Sequence, residues 1–122
     1  MSGDIIRLEF PARPEYILAV RLVVSAVAER GGFAIDDIED IKVASAEACI
    51  LLLDSKPDIL RIVVKIEDGV LIEFSAEGQR GRGEEPQEEG LSQYLLEALV
   101  DNCEIDEKDG LVKAVRFRKR PC

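Results

Sequence analysis

Two runs of alternating apolar residues, 59–67 and 70–75, meet at Asp68-Gly69. Leu60, Ile62, Val64 and Ile66 share one face of the first run, as the period of two in a strand requires. An Asp-Gly pair between such runs predicts a two-residue hairpin, because both residues tolerate positive φ. The centre of the chain is therefore an antiparallel strand pair with one apolar face.

The segments around it complete a pattern. Residues 5–10 alternate Ile6, Leu8 and Phe10 against Arg7 and Glu9, and Pro11 ends the strand because it cannot donate to a ladder. Over 14–30 the period changes to helical, with Ile17, Val20, Val24 and Val27 in register, Pro14 in the first turn, and Gly31-Gly32 as the stop. Asp36 followed by Glu39 reads as a capping box opening a second helix, with Ile38, Ile41, Ala44, Ala48 and Leu52 as its buried stripe and Pro57 beyond it. Residues 79–89 read as a mobile loop. Leu91, Tyr94, Leu95, Ala98 and Leu99 give a third helical stripe, and 103–106 pairs with 111–118 through Lys108-Asp109-Gly110. The order βααββαββ predicts an α+β, two-layer sandwich: three helices on one face of a mostly antiparallel sheet. At 122 residues and 47% apolar, the chain suits a single domain, 1–122, with one core.

Composition removes several chemistries. There is no histidine, which excludes Ser-His-Asp and Cys-His nucleophile systems and the usual catalytic zinc sites. The three cysteines, Cys49, Cys103 and Cys122, are odd in number and widely spaced, predicting reduced thiols in a cytoplasmic protein and no metal centre. The net charge of −9 opposes sequence-blind binding to nucleic acid and to anionic membranes. The one basic cluster, Arg116, Arg118, Lys119 and Arg120, reads as a solvated strand end. Residues 1–4 carry no basic run, so no secretory signal is expected. The longest apolar region, 17–28, is interrupted by Arg21 and Ser25 and is too short to span a membrane.

Two stretches carry a resemblance. Phe10-Pro11-Ala12-Arg13-Pro14-Glu15-Tyr16, with Val20-Arg21-Leu22, and the run from Asp37 through Glu47 to Cys49 resemble the anti-sigma-factor serine kinases. That family belongs to the histidine-kinase-like (Bergerat-fold) ATPases. The resemblance covers nearly the whole chain and implies the same fold that the element order gives independently.

It also implies a set of working residues. The family places a glutamate base and, four residues later, an asparagine that holds Mg²⁺. Here Glu47 matches the base, but Leu51 stands at the asparagine position and offers no oxygen to a hard cation. The family's adenine-binding aspartate corresponds to Ala76, while the following glycine survives as Gly78. Gly78 reads more simply as a strand-ending turn. The glycine-rich phosphate turn keeps Gly90, with Ser92 replacing a glycine, and Glu84, Glu85, Glu88 and Glu89 crowd the same entrance. Arg80 and Arg82 could in principle meet phosphates. The expectation is no cofactor, with ATP-Mg²⁺ bound weakly or not at all, and Glu47, Gly78 and Gly90 as remnants.

The opening helix is better kept. The family implies that an arginine at the position of Arg21 contacts the sigma factor and its antagonist. The competing explanation is a snorkelling arginine with an internal carboxylate partner. The resemblance also makes a homodimer through the first strand and helix plausible. A binding module for a sigma factor or anti-anti-sigma partner is favoured over an active ATP-dependent serine/threonine kinase, because Leu51, Ala76 and Ser92 each depart from what the kinase needs.

Overall fold

In the computed structural model, which describes residues 3–81 and 90–121, the patterning condenses into β1 (Asp4–Pro11), α1 (Ile17–Ala28), α2 (Ile35–Leu53), β2 (Ile59–Ile66), β3 (Val70–Glu77), α3 (Leu91–Leu99), β4 (Asn102–Lys108) and β5 (Leu111–Lys119). The sheet order is β1-β2-β3-β5-β4, and every neighbouring pair is antiparallel. Alternation decides what each face does. Leu60, Ile62 and Val64 of β2, Val70, Ile72 and Phe74 of β3, and Val115 and Phe117 of β5 point into one core with Val20, Val24, Ala28, Ile41, Ala44, Ala48, Leu52 and Leu96 from the helices. Phe74 and Phe117 stack there at 5.7 Å between ring centres. The three α-helices thus cover one face of the sheet. The opposite face carries ion pairs such as Arg61 with Glu9 and Glu77, and Lys65 with Glu73.

Several local expectations need correction. The β2–β3 connection is one residue longer than a two-residue turn: Ile66 faces Val70, leaving Glu67, Asp68 and Gly69 between them. Asp68 and Gly69 do have positive φ, 52° and 85°. Glycine is required at 69 for a second reason, since a Cβ there would strike the backbone carbonyl of Lys119. The expected first helix is a 3₁₀ turn (Pro14–Tyr16), then α1, then another 3₁₀ turn (Glu29–Gly31). The capping box does not form. Ala34 is the N-cap of α2 and makes no side-chain cap bond, while Asp36 and Asp37 sit in the first turn, where negative charge favours the helix dipole.

In α3 the buried residue is Leu96. Leu91 and Tyr94 are exposed at 48% and 68%, and Ala98 is exposed as well. The basic end of β5 is not simply solvated. Lys119 is only 8% exposed. Its Nζ donates to the Leu99 carbonyl at 2.8 Å and to Asp40 Oδ2 at 3.4 Å, with Asp37 Oδ1 at 3.9 Å. Arg118 donates to the carbonyls of Glu67 and Asp68, and Arg116 bridges Glu73 and Glu104. Arg120 donates from Nε to Asp68 at 2.7 Å, and that bond holds the Asp68 carboxyl below its ordinary range. The basic cluster is neutralised internally and staples the end of β5 to the β2–β3 turn and to α2 and α3.

Candidate functional site

The region defined by the kinase resemblance is built on α2. This helix packs against α1 on one side and α3 on the other, and also against β3 and β5. The elements carrying Glu47 and Leu51, Ala76 and Gly78, and Gly90 and Ser92 are therefore neighbours. Glu47 and Leu51 lie one turn apart on the flank of α2 that also bears Asp40 and Ala44. The Glu47 carboxylate is half-buried and makes no hydrogen bond or ion pair with the described residues. Leu51 packs against the hydrophobic core, as does Ala76 at the end of β3, opposite Leu60.

Neither side chain offers an oxygen. The described residues also contain no cluster of three or more cysteine, aspartate or glutamate side chains able to hold a metal. Neither position supplies the oxygen that the family resemblance places there.

The two glycines have different local causes. Gly78 has φ +80°, and a Cβ there would collide with the Asp58 carboxylate. Its retention thus follows from the turn itself. Gly90, also left-handed at φ +82°, is the N-cap of α3, and its carbonyl accepts from the Tyr94 N–H at 2.8 Å. A Cβ at Gly90 would meet nothing within 4 Å, so only its backbone angle calls for glycine. The four glutamates expected near this helix start, and Arg82, lie outside the described residues.

Just beyond Gly78, residues 79–81 are tied down at the start of the expected mobile loop, whose remaining residues, 82–89, lie outside the described residues. The Gln79 side-chain amide donates to Ser55 Oγ at 2.6 Å and to the Val112 carbonyl at 2.7 Å. The N–H groups of Arg80 and Gly81 both reach the Ser55 carbonyl, at 2.8 and 3.2 Å. Arg80, a candidate phosphate ligand, instead pairs with Asp58. No local pattern marks this cluster, since its members are 24 and 33 residues apart and Val112 takes part only through its backbone carbonyl.

Arg21 lies away from this region, on the α1 flank shared with Ile17, Val24 and Ala28. Its Nε is buried and has no hydrogen-bond partner among the described residues. The internal carboxylate that would make it purely structural is not found among the described residues. On the other side of α1, Leu22, Val23, Ala26 and Val27 line an apolar groove of about 460 Å³ with Ile6 and Ile66. Leu18 and Leu22 are exposed at 63% and 56%.

Three helices on one face of a five-stranded antiparallel sheet place the domain in the histidine-kinase-like ATPase class. No family model matches the chain. It is similar to curated proteins named serine-protein kinase RsbW: 32% identical to that of Bacillus cereus over 87% of this chain and 79% of the relative. It is 29% identical to the Bacillus velezensis protein and 28% to the Bacillus subtilis protein, in both cases over 93% of this chain and 85% of the relative. The chain belongs to the anti-sigma-factor serine-kinase family.

Proposed function

We propose that this domain is a cytoplasmic regulator that acts by stoichiometric contact, holding a sigma factor or an anti-anti-sigma partner without using nucleotide. The observation that carries this reading is the contrast between two sites. Leu51 and Ala76 are apolar, half-buried and packed against the core where a kinase needs a metal ligand and an adenine acceptor. Arg21 keeps a buried Nε with no partner among the described residues. A guanidinium nitrogen removed from water without a hydrogen bond is costly. Arg21 is only half-buried as a whole, so the rest of its guanidinium stays open to a carboxylate or carbonyl on a partner, and arginine is enriched among such interface anchors. Consistent with this, no helix among the described residues is long and apolar enough to cross a membrane. The apolar groove beside β1, a sheet edge, supports a homodimer as part of the same reading.

A second reading, an active serine kinase, is favoured by Glu47 and by the name its relatives carry. The two differ in what Arg21 and nucleotide do. Affinity capture from native cytosol should retain a sigma factor or its antagonist with the wild-type domain, in the absence of ATP. Arg21→Ala should weaken that binding by about 1–3 kcal/mol and leave the melting temperature nearly unchanged. A variant that melts early and binds its partner normally would make Arg21 structural and refute its role as the contact.

A further inference from the structure

Resting on the nucleotide-free reading, we propose that Gln79 is an internal lock that fixes residues 79–81, just after β3, onto the α2–β2 corner and β5 without any ligand. The lock begins one residue past Gly78, at the end of β3 where the family resemblance places the adenine-binding motif and this chain has Ala76.

The orientation of the lock follows from its partners. Ser55 is 1% exposed, and its hydroxyl donates to the Leu52 carbonyl at 3.1 Å. Its single proton is thereby used, so towards Gln79 its oxygen can only accept. The Val112 carbonyl can only accept as well. Two acceptors converge on one point, and only the NH₂ end of the Gln79 amide can serve both. A glutamate of the same size could serve neither.

Around this bolt the backbone is cross-braced. The Arg80 and Gly81 N–H groups share the Ser55 carbonyl, the Asp58 N–H donates to the Glu77 carbonyl at 2.8 Å, and Arg80 pairs with Asp58. Gly78 lets the chain turn tightly enough to come this close to Asp58. One side chain thus ties together the C-terminal end of α2, through Ser55 and Leu52, and the beginning of β5, through Val112. Order that a bound molecule could otherwise supply to this segment is built into the polypeptide, and the domain's arrangement there does not depend on nucleotide.

Amide hydrogen exchange of the full chain tests this. In the ligand-free protein the Arg80 and Gly81 amides should be protected. In both Gln79→Ala and Gln79→Glu they should exchange about tenfold faster, the effect of losing one well-made hydrogen bond. Amides of Ile72 and Phe74 in β3 should keep their wild-type rates, which shows that the fold is intact. Unprotected Arg80 and Gly81 amides in the wild type, or unchanged rates in both variants, would overturn the lock. The nucleotide-free reading fails in a different arm: ATP-Mg²⁺ added to the wild type would raise the protection of these same amides.

Discussion

Lys119 gives the sharpest test of the packing. Its ammonium lies between α2 and α3 at 8% exposure, donating to the Leu99 carbonyl at 2.8 Å and to Asp40 at 3.4 Å, with Asp37 at 3.9 Å. Asp37 is itself only 6% exposed. Lys119→Met keeps the aliphatic stem and removes only the charge. A hydrogen bond from a charged donor is worth about 1.5–3 kcal/mol, and breaking a fully buried ion pair costs about 3–5 kcal/mol. The two carboxylate distances here are long and Asp40 is partly exposed, so the hydrogen-bond end of these ranges applies, and a loss of about 2–3 kcal/mol is expected. That is a large fraction of the roughly 5–15 kcal/mol by which domains are stable. Urea unfolding measures it directly: the midpoint should fall with the slope m unchanged, because the same surface is exposed. Combining Lys119→Met with Asp40→Asn should cost less than the sum of the single changes, since the two groups interact. A loss under about 0.5 kcal/mol, the usual effect of a surface substitution, would refute the reasoning and return Lys119 to the solvated tail.

Two further outcomes follow from buried groups. Burial pushes the Cys49 thiol up from 9.0 to about 12, so the native protein should resist alkylation at Cys49 at pH 8. Because the folded thiol holds its proton while the unfolded one releases it above pH 9, this contribution to stability is complete below pH 9. It declines by about 1.4 kcal/mol per pH unit towards 12, and a comparison of wild type with Cys49→Ala across pH 8–11 should isolate it; parallel curves would contradict it. Ser45 is fully buried, with a hydroxyl that has no hydrogen-bond partner among the described residues. Ser45→Ala should therefore leave thermal stability unchanged or raise it by up to about 1 kcal/mol, and a loss greater than that would reveal a partner for the hydroxyl.

The sheet was legible where one face is fully buried. In β2 and β3 a one-residue slip would expose Leu60, Ile62, Val64, Ile72 and Phe74 together, so the alternation fixes both face and register. The stripe of α2 was legible for the same reason over 19 residues. In α3 only nine residues are available. Leu91–Leu95–Ala98 and Ser92–Leu96–Leu99 both fit helical spacing, and they differ by one residue, a rotation of about 100°. Only packing against α2 selects Leu96. The site divided in the same way. Glu47, Leu51, Ala76 and Arg21 could be named because they stand at fixed spacings in recognisable runs. Lys119 and Gln79 could not, because their roles depend on partners such as Leu99, Ser55 and Val112 that only the tertiary fold brings close.

Titration calorimetry with ATP and Mg²⁺ addresses the central claim most directly. With apolar Leu51 and Ala76 packed against the core and Arg80 held by Asp58, no saturable heat is expected up to about millimolar nucleotide, a ceiling of about −4 kcal/mol in binding free energy. A dissociation constant in the low micromolar range, about −8 kcal/mol, would contradict it and restore the kinase.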